Sequence, residues 1–364
     1  SNKRQIWRQF SPSNFTYAND QTMREKGDLK MKTSGFMKLA SLPIALAVAG
    51  LVSITQASAK EKITYAYLAD PALEGVLYAI KNGIVKSDKI EIEASALQIP
   101  ALISSTPAKK YDVIMNAVMA IPFAKRRGLD LVVLSSALRS AKGRLGAGIW
   151  VKKDSPYKTL ADLKGKKIGS YSLRATGTTW IRIALAKKYN VNVSYKGGDF
   201  SWVQIPAPAL LSALETGRVD AATLIHAQAY SARKTGNYRV LAWTNKDIKE
   251  MFGVDSLSAV NVTYPDKLNA RPDAFREFNR MMHESVKYAV ANADKVGAAI
   301  AKNTAKIEPG YFKAWINDYS YFPGAVSAED KKAMTLVWSQ SKDMGILKKV
   351  PDVEKAIWRD AIKE

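Results

Sequence analysis

The chain has 364 residues, 47% of them hydrophobic, with 55 Lys+Arg against 33 Asp+Glu and no cysteine. That size and composition suit a soluble globular protein of about two domains, and the missing cysteines exclude disulfides, thiolate zinc sites, iron–sulfur clusters, cysteine nucleophiles and a lipidated cysteine. The formal net charge of +22 attracts anions and anionic surfaces, but the basic residues are spread without a block or motif of the kind that binds nucleic acid, so no nucleic-acid partner is expected.

Residues 1–30 carry no periodic apolar pattern, and Ser1-Asn2 suits a tag remnant; they are predicted to be a disordered extension outside the fold. Residues 31–59 have the three parts of a secretory signal peptide: Lys32 and Lys38, an apolar run from Leu39 to Ile54, and the small-x-small site Ala57-Ser58-Ala59. The alternative, a membrane anchor, fits less well, because the run contains Pro43 and Gly50 and is shorter than the ~20 apolar residues of a spanning helix. Cleavage after Ala59 would release the protein into the periplasm. What remains holds 47 basic and 30 acidic residues, a net +17.

After the leader, short apolar strands alternate with helical stretches. Strands are predicted at Lys62–Leu68, at Lys89–Ala96, in YDVIMNA and in LDLVVLSSA, with helices between them; this β-α-β-α-β-α-β order argues for a mostly parallel sheet covered by helices. The grammar restarts after Trp150-Val151-Lys152-Lys153, with strands in KKIGSY, WVQIP, DAATLI and YRVLAW and helices in ATGTTWIRIALAKKYN and APALLSALETG. A strand at Leu257–Pro265 then leads into an almost wholly helical end, with helices expected at Pro272–Asn292, Ala293–Asn303, Glu308–Asn317, Ala328–Met344 and Val353–Ile362. One extended segment enters the middle unit and another leaves it. The expected organisation is one lobe from 60–150 plus 257–364 and a second from 151–256, joined by a two-strand hinge that can close over a ligand.

Three stretches then resemble a known family. YDVIMNAVMAIPFAKRRGLDLVVLSSA, TLADLKGKKIGS (with Asp162, Leu163, Lys164, Gly165 and Lys166) and PALLSALETGRVDAATLIHA are similar to segments of the type II periplasmic solute-binding proteins of ABC importers, in their aliphatic-sulfonate, taurine, nitrate and thiamine-precursor branch. The resemblance covers Glu61 to about Trp358. It implies an α/β fold of two mixed-sheet lobes, a small-molecule ligand, an ABC permease as partner, a monomer, and no cofactor.

In open α/β sheets ligands bind outside the carboxyl ends of the strands, which here are Asp70, Asn116-Ala117-Val118, Ser136-Ala137 with Arg139, Ser172 to Thr178, and His226 with Gln228. Ser172, Arg174, Ala175, Thr176, Gly177 and Thr178 open a helix, whose exposed N–H groups suit a carboxylate or sulfonate; ordinary capping is the alternative. Arg174 and Arg139 offer guanidinium forks for an oxyanion, although Arg139 also suits a surface loop. Asn116 offers donor and acceptor together, or else an Asx-turn. His226 offers a ligand hydrogen bond, with no cluster around it for metal binding or catalysis. His283 reads as a packing or surface residue, Trp150, Trp202, Trp243, Trp315, Trp338 and Trp358 as mostly core, and Tyr67, Tyr171 and Phe252 as the cleft aromatics. The expected ligand is a small organic anion (a sulfonate, taurine-like or aromatic carboxylate), with a thiamine-precursor pyrimidine as the alternative. An enzyme on the same fold and a ligand-sensing receptor subunit are the rival classes. No Ser-His-Asp set, metal cluster or phosphate loop supports catalysis.

Overall fold

A computed structural model of the chain describes residues 59–321 and 324–361. The expectations for residues 1–30 and for the leader as far as Ser58 fall outside the described residues.

Two sheets organise what is described. The first is built from β1 (Glu61–Leu68), β2 (Ile90–Leu97), β3 (Val113–Ala117) and β4 (Val132–Ser140). The second contains β5 (Ile149–Lys152), β6 (Lys167–Ser170), β7 (Ser201–Gln204), β8 (Ala221–Ala222) and β9 (Tyr238–Ala242). The chain then returns to the first sheet as β10 (Leu257–Thr263) and later adds the two-residue β11 (Ser320–Tyr321). The strand orders are β11-β4-β10-β3-β1-β2 and β7-β6-β8-β5-β9.

Both sheets are mixed. β1 runs parallel to β2 and β3, and β10 is antiparallel to both β3 and β4, so β4 points the same way as β1, β2 and β3, as expected, but is separated from β3 by the inserted β10. In the second sheet β6 is parallel to β7 and β8, and β5 is antiparallel to β8 and β9.

Two helices cover the first sheet. Pro272–Ala291 repeats apolar residues at helical spacing, and Phe275, Phe278, Met281, Met282, Val286 and Ala289 are all buried by it. Phe278 meets Tyr65 of β1 edge-on at 5.3 Å. The helix Ala328–Asp343 starts with a reciprocal capping box between Ser327 and Asp330 and buries Met334, Val337 and Trp338, whose indole N–H donates to the Val118 carbonyl at 3.3 Å.

Two expected helices at the chain end are shorter than their patterns suggested. The stretch expected at Glu308–Asn317 is helical only over Tyr311–Ala314 and continues as a five-residue π turn, Trp315–Tyr319. Its carbonyls are taken by the chain leaving β4: Gly143 N–H donates to Asn317 O at 2.9 Å and Ala141 N–H to Tyr319 O at 3.2 Å. The stretch expected at Val353–Ile362 is helical only over Val353–Ala356, because Ile357 turns extended and bridges Val133 of β4.

The two segments between the sheets lie side by side. Ser140 N–H donates to Ser256 O at 3.0 Å, and Arg144 grips Asp255 through Nε–Oδ1 at 2.6 Å and Nη2–Oδ2 at 3.3 Å. Gly146 passes so close to the π turn that a Cβ there would stand 2.3 Å from Tyr319 O. Gly146→Ala must therefore push two backbones apart, and a loss of about 1–3 kcal/mol is expected in urea unfolding.

Candidate functional site

The carboxyl ends of β1 and β8 bring one pair of expected residues together. Asp70 follows β1 and caps the helix Pro71–Val76, its carboxylate accepting from Ala72 N–H at 2.8 Å and from the Tyr311 hydroxyl at 3.4 Å. His226 follows the short strand β8 and opens the helix His226–Thr235 in the left-handed region, φ 47°, where histidine is tolerated better than most side chains. Its Nδ1 accepts the indole N–H of Trp315 at 2.9 Å, with the rings 6.3 Å apart. Asp70 lies near enough to favour the charged imidazole, but burial outweighs it and holds the His226 pKa below the ordinary value.

This contact joins the two lobes, and one helical turn further on it widens into an aromatic seam. Tyr230 meets Tyr311 at 5.4 Å and Tyr319 at 6.2 Å, edge-on in both cases. Its hydroxyl donates to Glu308 at 3.2 Å, and Glu308 also pairs with Lys234. A cavity of about 170 Å³ opens at this rim, lined by Tyr230, Ser231, Lys234, Lys306, Glu308 and Tyr311 among others. A half-buried Gln228 stands in the first turn of the His226–Thr235 helix.

The opposite side of the junction is closed by the helix Thr176–Tyr189. Thr176 Oγ1 accepts Met119 N–H at 2.9 Å, and the Trp180 indole donates to Leu257 O at 2.9 Å. Ala117 and Val118 therefore flank the start of that helix, although Val118 is fully buried and its N–H goes to Ser258 O.

The expected anion hole at this helix start is already filled by protein groups. Thr178 Oγ1 donates to Ser172 O at 2.7 Å and lies 3.0 Å from Ser170 Oγ. The Tyr171 hydroxyl occupies the space beside Gly177, where a Cβ would come within 2.1 Å of it. Burial pushes the Tyr171 pKa up to about 12, partly offset by hydrogen bonds from Thr178. Ala175 is an extended N-cap without a side-chain hydrogen bond, and Arg174 points into solvent.

The remaining expected residues serve the first lobe. β4 starts three residues later than its apolar run suggested and runs on to Ser140, so Arg139 lies inside the strand instead of just past it, and Ser136 and Ala137, expected at its carboxyl end, lie in its middle. The buried Ser136 donates to Ala325 O, and Ala137 sits in the core. Arg139 is 16% exposed on its side chain and pairs with Asp330 at 3.3 Å and Ser327 at 3.2 Å; it is neither in a loop nor turned to the cleft. Asn116 spends its amide on Thr106 Oγ1 at 2.8 Å and its carbonyl on Ala117 N–H at 3.1 Å.

Tyr311, Trp315 and Tyr230 were not singled out as cleft residues. Tyr311, Trp315 and Tyr319 recur every four residues, which reads as the packing face of a helix. Only the π turn reveals that Trp315 reaches across to the other lobe.

With this geometry in hand, comparison with known proteins identifies the family. The model of the NMT1/THI5-like family matches residues 75–296. The chain belongs to the NMT1/THI5-like family. No curated protein sequence matches this NMT1/THI5-like chain. Among solved structures it is similar to the periplasmic aliphatic sulphonate binding protein SsuA from Escherichia coli, at 16% identity and a TM-score of 0.65 over 83% of this chain and 98% of that one. It is similar to the alkanesulfonate-binding protein SsuA from Xanthomonas axonopodis pv. citri bound to MOPS, at 17% identity and 0.64 over 82% and 98%. Protein AF1704 from Archaeoglobus fulgidus aligns at 20% identity and 0.63 over 79% and 98%. The fold is that of the periplasmic binding proteins.

The two arginines should behave differently. Arg139→Ala removes charge-assisted bonds from a buried helix cap, and urea unfolding should show a loss of about 1.5–3 kcal/mol. Arg174→Ala, on the surface, should stay within about 0.5 kcal/mol of the parent.

Proposed function

We propose that this chain is the solute-capturing component of an ABC importer, working in the periplasm, and that its two lobes close around a small organic molecule at the Asp70–His226 seam. The observation that carries the reading is the Trp315–His226 bond beside Asp70: side chains from both lobes meet at the carboxyl ends of β1 and β8, where open α/β sheets take their ligands. A few convergent polar groups among aromatic rings are what a small-molecule site needs.

The chemistry of the seam favours the nitrogen-bearing ring over the anion. Asp70 accepts from a ring amine, a neutral His226 donates from Nε2 to a ring acceptor, and the half-buried Tyr230 receives the plane of the ring. A thiamine-precursor pyrimidine has these features. The second reading, an organic anion such as a sulfonate, draws on the +22 charge and on the similarity to the two sulfonate-binding SsuA proteins, one of them bound to MOPS; the rim lysines Lys234 and Lys306 would then receive it. No reaction is assigned to the protein under either reading.

Thermal-shift and calorimetric titration with an aminopyrimidine, taurine, methanesulfonate and benzoate separates the two. A ligand that binds only the native state adds about 2.7 kcal/mol at 100 times its dissociation constant. The aminopyrimidine is expected to bind, and Asp70→Asn to weaken it by roughly one to two decades. A sulfonate that binds equally well to the parent and to Asp70→Asn would establish the second reading, and binding by none of the four would overturn both.

A further inference from the structure

Trp315 and His226 constrain each other's chemistry. An indole N–H can only donate, so His226 Nδ1 must carry a lone pair, and the neutral ring then holds its hydrogen on Nε2. A protonated imidazole is a donor at both nitrogens and cannot accept the indole. The two rings pack against each other with their centroids 6.3 Å apart. Trp315 is fully buried, and it opens the π turn whose carbonyls hold the segment leaving β4.

We propose that closure of the two lobes is coupled to deprotonation of His226 through Trp315, which acts as a positioning residue. The charges around the ring leave Asp70 as the group acting on it. Arg233 and Lys234, on the histidine's own helix, pair with Asp318 of the π turn and Glu308 ahead of it. Lys313 of the short helix before Trp315 pairs with Asp294, and Glu74, beyond Asp70, pairs with Lys81. Lys306 lies at the rim cavity. Asp70 favours the imidazolium and burial opposes it, with burial prevailing.

The sign follows. The closed form binds fewer protons at His226 than an open form with the ring in water, so closure is fully present above the ordinary pKa of 6.5 and is lost as pH falls below it. Acidification would loosen the grip and favour release of the ligand. The inference rests on the seam being the surface that closes, but its tests need no ligand, so a wrong ligand class leaves them unaffected.

The chain has two histidines, so long-range ¹H–¹⁵N spectra of the full chain separate them, with His283→Gln for assignment. At pH 7.5 His226 is expected as the Nε2–H tautomer. In Trp315→Phe, which keeps a ring and removes the donor, the tautomers should mix and the titration midpoint should rise. A His226 protonated on Nδ1 in the parent, or a tautomer and midpoint unchanged in Trp315→Phe, would overturn the proposal. Because the chain has no cysteine, Asp88→Cys and Lys196→Cys, both exposed, carry spin labels on the two lobes without interference. The inter-label distance should lengthen between pH 7.5 and 5.5 in the parent and stay constant in His226→Gln; no change in the parent, or the same change in both, counts against the coupling.

Discussion

The return of the chain as β10 into the middle of the first sheet is the constraint on which the rest of the structure depends. Both of its edges are used: Val260 stands opposite Asn116 on one side and Ser136 on the other. Everything between β4 and β10 must therefore leave and re-enter at neighbouring points. That requirement brings Ser140 against Ser256 and Arg144 against Asp255, so the two connections form one narrow waist instead of two separate tethers. It also exposes the Leu257 carbonyl to the Trp180 indole, which anchors the second lobe beside the point where the chain comes back.

Charge is concentrated at this waist. Lys249, from the second lobe, pairs with both Asp255 and Glu329, while Glu329 also accepts Asp255 N–H at 2.6 Å. Arg139 and Arg144 complete a neutralised network with Asp330 and Asp255. The carboxylate of Glu329 is held below its usual range because these partners outweigh its burial. Arg139, which looked available for a ligand, is thus spent within the protein. An overall positive charge raises encounter rates with anions, but it does not decide what the seam accepts.

Much of this was legible in the sequence, and the gaps have physical causes. The strand–helix alternation, the excursion through the second sheet and the placing of Asp70 and His226 at strand ends all follow from apolar periodicity and turn residues. Arg139 was misjudged because an apolar run does not reveal where pairing begins: β4 is shifted toward the C-terminus and carries its last polar residues inside the ladder. The helix start at Thr176 was read from its own residues, whereas the Thr178 hydroxyl donates to Ser172 O, the Thr176 hydroxyl accepts Met119 N–H and the Tyr171 hydroxyl fills the space beside Gly177. Trp315 is a core tryptophan as expected, but its four-residue repeat does not reveal that its indole N–H reaches His226. Ile357 left the predicted helix because an unpaired stretch of β4 stood ready to bond with it.

That stretch also bears on how the molecule behaves among its copies. β4 has β10 along one side; its other side is covered in two short pieces, by Ser320 and Tyr321 near one end and by Ile357 near the other, where Trp358 N–H meets Val133 O at 2.9 Å. An open strand edge is a template for pairing with further chains. The tail thus shields part of that edge, and a proteolytic nick just ahead of Ile357 would leave the Val133 carbonyl open to pairing with another chain.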